Sequence, residues 1–291
     1  MANLKDIRTR ISSVKSTMQI TNAMKMVSAA KLKKAQEAIE NMRPYAEKLN
    51  EILKTLVDAG TDETNVYGEE RPVKKVLLVS ITSNRGLCGA LNSNVVKKVN
   101  ELAENYSGKA GVDVLTIGKR GFDILKKTQN VVENRSDLLD KKIEYGQVSE
   151  VAEKVMKDFT EGIYDKIILV YNQFVNPAVQ RVTEEQFLPV PKDETQDSAS
   201  PVQIDYIFEP DQQTILKELV PKSLKMKFFR AIREAWASEH GARMTAMHKA
   251  TDNAKEMVSD LTLQYNKARQ AVITGEILEI VSGAEALKNQ G

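Results

Sequence analysis

Residues 234–287 read EAWASEHGARMTAMHKATDNAKEMVSDLTLQYNKARQAVITGEILEIVSGAEAL, a stretch that predicts one long helix. It contains no proline and is rich in Ala, Met, Leu, Glu, Lys and Gln, which are good helix formers. A helix of this length would extend roughly 80 Å. Steps of four and three residues from its start trace a mostly apolar stripe: Trp236, His240, Arg243, Met247, Ala250, Ala254, Met257, Leu261, Gln264, Ala268, Ala271, Gly275, Leu278 and Ser282. Such a stripe needs a partner to cover it.

The start of the chain supplies a matching stripe. The same stepping there gives Leu4, Ile7, Ile11, Val14, Met18, Thr21, Lys25, Ser28, Leu32, Ala35, Ile39, Met42, Ala46, Leu49, Leu53 and Leu56. Only Thr21, Lys25 and Ser28 interrupt the apolar run. A repeat of this length favours a coiled coil, with a helical bundle as the alternative, and its 3.5-residue period predicts a left-handed supercoil. Pro44 predicts a kink or a local break.

The middle of the chain alternates between strands and helices. The predicted buried strands are Val73–Ile81, Val112–Ile117 and Lys166–Asn172, and the predicted helices are 92–106, 121–127 and 148–160. Two further segments, Val179–Phe187 and Val202–Phe208, are expected as antiparallel additions at the edge of the sheet. Alternation of this kind predicts an α/β domain. It lies between two long helices that pair with each other.

Composition and charge exclude some classes of function. The formal net charge is +2, so no global charge excess demands nucleic acid. Residues 1–36 nevertheless carry a net charge of +7, which suits either a solvated face or an acidic partner. The single cysteine excludes an internal disulfide and is typical of a reducing compartment. No apolar run approaches the roughly 20 residues that cross a bilayer.

The sequence offers only weak candidates for an active site. Asn84–Gly89 follows a strand and precedes a helix, where a glycine-rich turn can cradle phosphate, but it lacks a nucleotide-binding fingerprint. A tight strand-to-helix turn is the favoured interpretation. Cys88 has no evident His and Asp partners, and His240 and His248 are too far apart in sequence for a shared metal. We therefore expect no catalytic residues, no metal and no cofactor.

The methionines at helical spacing favour packing over cofactor binding, because methionine fills irregular gaps between packed elements. Met18, Met24, Met26, Met244 and Met247 are expected to line the helix pair.

Five separated motifs carry a resemblance to a known family. They are QITNAMKMV at 19–27, TSNRGLCGALN at 82–92, SEHGARMTAM at 238–247, ATDNA at 250–254 and YNKARQAVITGEI at 265–277. In order and over essentially the whole chain, they resemble the γ subunit of F-type ATP synthases.

The resemblance implies a long antiparallel coiled coil with an inserted Rossmann-like α/β domain. The implied domains are a first coiled-coil helix at 1–59, an α/β domain at 73–209 and a last coiled-coil helix at 210–287. It also implies a non-catalytic central rotor shaft that couples proton flow to ATP synthesis and hydrolysis. The expected location is the cytoplasmic face of a bacterial cell membrane, without direct insertion into it.

The family's partners are a hexameric ring of α and β subunits, an ε subunit and a membrane c-ring, and none is a nucleic acid. By resemblance, Met24 and Lys25 lie near an acidic loop of β. Arg269, Gln270 and Thr274 contact β through hydrogen bonds.

Two further contacts implied by the resemblance lie at the opposite end. Tyr206 and Glu209 correspond to the foot region, which touches ε and the c-ring. The alternative hypothesis is a non-rotary coiled-coil adaptor whose α/β head binds a nucleotide or an anion near Arg85–Gly89.

Overall fold

The computed structural model describes residues 4–58, 66–139, 143–190 and 212–288. In chain order its main elements are α1 Leu4–Asp58, β1 Lys75–Ile81, α2 Leu91–Tyr106, β2 Gly111–Ile117, α3 Lys119–Leu125, β3 Asn130–Asn134, α4 Tyr145–Thr160, β4 Lys166–Phe174, β5 Gln180–Leu188 and α5 Gln212–Lys288. Short 3₁₀ helices occur at Val66–Gly68 and Ser136–Leu139. The chain divides into two compact units, residues 1–28 with 244–291 (unit 1) and residues 29–243 (unit 2), so α1 and α5 contribute to both.

A five-stranded sheet organises unit 2. Its order is β3-β2-β1-β4-β5, with β5 antiparallel to β4 and the other neighbours parallel. The predicted α/β class, the three buried strands and the antiparallel edge strand at 179–187 are confirmed. The other predicted edge strand, Val202–Phe208, lies outside the described residues.

The two faces of the sheet bury different sets of residues, because successive side chains of a strand point to opposite sides. Val76 and Leu78 of β1 pack in the cluster that contains Val95 and Val99 of α2. Leu77, Val79 and Ile81 belong to the cluster formed with α4 and with the apolar side of α5. Helices therefore cover both faces, as expected for a buried parallel sheet.

Two details differ from the prediction. Strand β3 was missed because its sequence, NVVEN, is short and carries only two apolar residues, and it pairs at the sheet edge with β2 alone. Of the kink or local break expected at Pro44, the break is wrong, because α1 continues past this proline to Asp58, and the kink stays a prediction. Proline removes one hydrogen bond, whereas packing along the rest of the helix is retained.

The first and last helices run antiparallel within unit 2. The charge of Lys31 acts on His240, whereas the charge of Arg43, later in α1, acts on Glu234, earlier in α5. Leu32 and Ala35 are buried on the predicted stripe of α1. The predicted antiparallel pairing is thus confirmed, and its left-handed twist and the predicted domain limits stay predictions.

The predicted stripe of α1 is confirmed from Leu4 to Leu49, and the side chains of its last two members, Leu53 and Leu56, lie outside the described residues. Its members from Leu4 to Leu49 are all buried or half-buried. In unit 1, the Thr251 hydroxyl donates a 2.9 Å hydrogen bond to Oγ1 of Thr21. A polar pair at this seam fixes the alignment of the two helices, because both hydroxyls would lose a partner if one helix slid.

The predicted stripe of α5 needs a correction within unit 1. Met247, Ala254 and Leu261 are buried as expected, but Met257 is 45% exposed and Gln264 is exposed. Thr251, Val258 and Tyr265 are half-buried, and so is the predicted Ala250. From Met247 the spacing between members of the stripe is therefore four residues and then three, the reverse of the predicted order. The sequence alone could not choose between the two orders, because Met257 and Val258 are both apolar.

Ala254→Leu tests whether the helix pair of unit 1 needs small side chains. Ala254 is only 7% exposed, so the added atoms would overpack the seam and lower the free energy of unfolding by about 1–3 kcal/mol. The measurement is urea unfolding followed by circular dichroism. Ala271→Leu, an identical change at an exposed position of the same helix, is the control. Equal stability of the two variants would contradict close packing at Ala254.

Candidate functional site

The edge of the sheet where a ligand would be expected is covered by α5. In open parallel sheets, ligands bind beyond the carboxyl ends of the strands where the chain order reverses, here between β1 and β4. The Ser238 hydroxyl donates a 2.8 Å hydrogen bond to the carbonyl oxygen of Asn172 in β4. At Gly241, an added Cβ would lie 3.3 Å from Cα of Pro177. The small residues of α5 thus let the helix lie directly over this edge.

The Asn84–Gly89 turn presents carbonyl oxygens to α5. Arg243, which is 8% exposed, donates from Nη2 to the carbonyl oxygens of Arg85 at 2.9 Å and Gly86 at 3.2 Å. Leu87 and Gly89 adopt positive φ angles of 63° and 62°, which turn the chain sharply into α2. An anion site needs N–H groups that converge on the ligand. This turn uses its carbonyls to bind a cation of the same chain, as expected of a structural turn.

Cys88 is part of the packing of this turn. It is 2% exposed and lies among hydrogen-bonding neighbours, with its Sγ 3.3 Å from Nδ2 of Asn92 and 3.8 Å from the Ser83 hydroxyl. Burial raises the pKa of the Cys88 thiol, an effect only partly offset by the Ser83 hydrogen bond and the charge of Arg243. A raised pKa disfavours the nucleophilic thiolate.

A buried charged pair and a histidine complete this contact. Nη1 of Arg243 lies 2.8 Å from Oε1 of Glu239, and both side chains are almost fully buried. Burial raises the pKa of Glu239, while the charge of Arg243 acts in the opposite direction. The ring of His240 packs edge-on against Trp236, with centroids 4.8 Å apart. Sequence reasoning missed this cluster, although its members stand one helical turn apart.

His240 is held in the neutral form. Its Nδ1 lies 3.5 Å from Nη1 of Arg243, which can only donate, so the ring proton belongs on Nε2. That Nε2 is buried without a hydrogen-bond partner among the described residues. Burial, followed by the charges of Arg243 and Lys31, lowers the pKa of His240 to about 3. His240 is therefore a packed side chain, 4% exposed.

The predicted ring-contact residues lie in unit 1. Arg269, Gln270 and Thr274 are exposed on α5, and the Thr274 hydroxyl donates a 2.9 Å bond to the carbonyl oxygen of Gln270. Met24 and Lys25 are half-buried on α1. The exposed side chains are accessible to a partner, and the structure does not test their predicted roles.

The methionine prediction holds with one exception. Met18, Met24 and Met244 are half-buried and Met247 is buried. Met26 is 59% exposed and does not line the helix pair. It stands one residue from Val27, which is 58% exposed, so part of α1 presents apolar side chains to solvent.

The sequence reasoning did not single out the apolar end of α5, residues 272–281. Every residue from 269 to 285 is exposed except Gly275, which is half-buried. Six large apolar side chains are 42–71% exposed here: Val272, Ile273, Ile277, Leu278, Ile280 and Val281. A dense group of exposed apolar side chains on one helix is typical of an interaction site. The excess of β-branched residues in the sequence was a usable signal.

The remaining predictions concern Tyr206 and Glu209, metal binding, membrane spanning and His248. Tyr206 and Glu209 lie outside the described residues. Among the residues that the structure describes, no cluster of three His, Cys, Asp or Glu side chains is placed to hold a metal ion. Within those same ranges, no helix combines the length and the apolarity needed to span a bilayer. His248 is exposed, with Nδ1 3.2 Å from Oδ2 of Asp252.

His240 gives the stability of the chain a specific pH dependence. An unfolded histidine titrates near pH 6.5, so between about pH 6.5 and 3 only the unfolded chain takes up this proton. Stability contributed by neutral His240 should therefore be lost as pH falls, by up to about 1.4 kcal/mol per pH unit.

The measurement compares urea unfolding of the wild type and His240→Gln from pH 7 to 4.5. The stability difference between them should shift in favour of the variant as pH falls. His248→Gln, at an exposed site on the same helix, should follow the wild type. Parallel pH curves for the wild type and His240→Gln would contradict a buried neutral histidine.

Comparisons with known proteins agree over the whole chain. A family model described as ATP synthase matches residues 3–287. The ATP synthase gamma chain of Christiangramia forsetii is 56% identical over 288 residues, covering 99% of both chains. That of Flavobacterium johnsoniae is 58% identical over 288 residues, again covering 99% of both.

Solved structures show the same fold. A chain of the Tetrahymena thermophila mitochondrial ATP synthase central stalk and c-ring is 27% identical, with a TM-score of 0.60, covering 79% of this chain and 99% of that one. A chain of the Euglena gracilis mitochondrial ATP synthase is 22% identical, with a TM-score of 0.65, covering 98% and 94%. With a family model and curated relatives that both cover the chain, this protein belongs to the ATP synthase γ chain family.

Proposed function

We propose that this chain is the central rotor shaft of an F-type ATP synthase. It turns inside a hexameric ring of α and β subunits and couples proton flow through a membrane c-ring to ATP synthesis and hydrolysis at the β sites. The observation that carries the proposal is the helix pair of unit 1, which ends in the apolar end of α5. Six exposed apolar side chains on one helix require a partner that encloses them.

The shaft acts by presenting different faces to equivalent subunits. A pair of unlike helices has no threefold symmetry, so each αβ pair in a ring meets a different surface. A difference in contact free energy between β conformations is what allows rotation to change nucleotide affinity. The exposed Arg269, Gln270 and Thr274 of α5, together with Met24 and Lys25 of α1, are the proposed contacts with the ring. Complementary charge on an acidic loop of β would suit the +7 charge of residues 1–36.

The chain itself is proposed to be non-catalytic, to hold no cofactor, and to act at the cytoplasmic face of a bacterial cell membrane as a peripheral protein. Its other partners are ε and the c-ring, contacted near Tyr206 and Glu209. The proposed domains are 1–59, 73–209 and 210–287.

The adaptor alternative needs an open anion site near Arg85–Gly89. It is disfavoured because the carbonyl oxygens of that turn accept hydrogen bonds from Arg243.

Reconstitution tests the proposed function. The chain is mixed with α and β subunits from the same source, and native mass and Mg-ATP hydrolysis are measured. One copy per hexameric ring, with hydrolysis well above that of α and β alone, is the expected result. A mixture without a complex, or a complex whose hydrolysis is unchanged, would overturn the proposal and direct attention to the α/β domain as a ligand-binding module.

Arg269→Ala tests the proposed ring contact. Arg269 is exposed in the chain alone, so its removal should leave the stability within about 0.5 kcal/mol of the wild type. Loss of a charged hydrogen bond to β should weaken assembly by about tenfold or more. The measurement is the affinity of the chain for the α and β ring.

Lys267→Ala, at a second exposed cation two residues away, is the matched control and should assemble like the wild type. If Arg269→Ala instead lowers the stability of the isolated chain, the arginine has a structural role and the proposed contact is refuted.

A further inference from the structure

The α/β domain holds α5 through a broad apolar contact. Leu224, Phe228, Ile232 and Ala235 lie on one side of α5 and are buried in the same cluster as Leu77 and other residues of the sheet. Apolar contacts stabilise the helix on the sheet, but they have little directionality. Rotation of the helix about its own axis would expose this apolar side to water, so the contact opposes rotation, and directional bonds beside it add to that resistance.

Polar contacts flank this apolar side. On one flank, Lys225 forms an ion pair with Glu153 of α4, and Arg233 donates from Nη2 to the carbonyl oxygen of Ile143 at 2.8 Å. On the other flank, Lys227 and Arg230 reach β5. At about 100° per residue, these two pairs point to opposite sides of the buried stripe. Directional bonds on both flanks oppose rotation of the helix in either sense.

Glu185 is the centre of the second flank. Its Oε1 lies 3.3 Å from Nζ of Lys227 and 3.2 Å from Nη2 of Arg230. Its Oε2 accepts a 2.9 Å hydrogen bond from the hydroxyl of Tyr171, which is 1% exposed. Lys227 also donates to the carbonyl oxygen of Gln186 at 2.8 Å. The buried tyrosine fixes the carboxylate, and the carboxylate fixes two cations of α5.

We infer that Glu185 is a positioning residue that transmits torque between the α/β domain and α5. The inference rests on the proposed function, because torque has meaning only for a chain that turns. The load enters at β5, passes through the carboxylate to Lys227 and Arg230, and continues along the helix. Charged hydrogen bonds suit this task because they are stronger and more directional than neutral ones.

The neighbouring residue supplies a matched control. Glu184, next to Glu185 on β5, pairs with Lys98 of α2 at 3.2 Å. That pair lies within the α/β domain and does not involve α5. Glu184→Gln and Glu185→Gln therefore make the same chemical change on the same strand, and only the second weakens the contact with α5.

The experiment measures torsional stiffness in the assembled complex. The α and β ring is fixed to a surface, a gold rod is attached at an exposed Lys109→Cys site on the α/β domain, and the angular variance of the rod is recorded during a nucleotide-held pause. Variance is inversely proportional to stiffness. If the two flanks act as parallel springs, loss of one should raise the variance by up to about twofold in Glu185→Gln.

A graded series separates positioning from folding. Glu185→Lys, which repels Lys227 and Arg230, should raise the variance more than Glu185→Gln. Tyr171→Phe, which removes only the hydroxyl that holds the carboxylate, should raise it less and serves if the charge variants assemble poorly. Hydrolysis by the assembled complexes should stay at the wild-type rate, whereas a general loss of structure would lower it.

The outcomes separate the two claims. A wild-type rod that never rotates during hydrolysis overturns the proposed function and this inference with it. A rotating wild type with equal variance in the Glu184→Gln, Glu185→Gln and Tyr171→Phe complexes overturns the inference alone. Wider variance in Glu185→Gln and Tyr171→Phe, with Glu184→Gln at the wild-type value, supports torque transmission through Glu185.

Discussion

Helix α5 must cover an apolar side for most of its length, and it does so against two kinds of partner. Between Leu224 and Ala235 it buries large side chains against the sheet. Further along, Met247, Ala254 and Leu261 are buried in the helix pair of unit 1. Most helical stability in proteins comes from packing of this kind rather than from intrinsic propensity. The contacts of Gly241, Arg243 and Glu185 all involve α5 and depend on where this packing places it.

The position of α5 explains how a doubly wound sheet lacks an open ligand crevice at the ends of β1 and β4. Gly241 allows close approach to Pro177, and Arg243 donates to the carbonyl oxygens of Arg85 and Gly86 in the β1–α2 turn. A buried arginine needs a carboxylate nearby, and Glu239 supplies it at 2.8 Å. Related folds bind nucleotides at this edge of the sheet, whereas in this chain the edge binds α5.

The apolar end of α5 is exposed, in contrast to the part of the helix that covers the sheet edge. Its side chains from Val272 to Val281 are exposed in the isolated chain, and water contact at so many apolar groups is unfavourable. The family of the chain and this exposed surface lead to the same proposal, a shaft whose tip is enclosed by other subunits. The charged contacts of Glu185 serve the transfer of load between sheet and helix, because their directional bonds add to the resistance of the apolar packing.

Local periodicity and motifs in the sequence were enough to identify the family, the two long helices, the stripe of α1 from Leu4 to Leu49 and the three buried strands β1, β2 and β4. The sequence did not determine the order of four- and three-residue steps in the stripe of α5 beyond Met247. Met257 and Val258 are both apolar there, and only the position of α1 distinguishes them. Strand β3 was also beyond it, since an edge strand is stabilised by the neighbour it pairs with. The contacts of Arg243 with Arg85 and Gly86, and of Glu185 with Lys227 and Arg230, join residues far apart in sequence. Tertiary structure alone decided them, because only the folded chain brings those charges within hydrogen-bonding distance and removes the water that would otherwise solvate them.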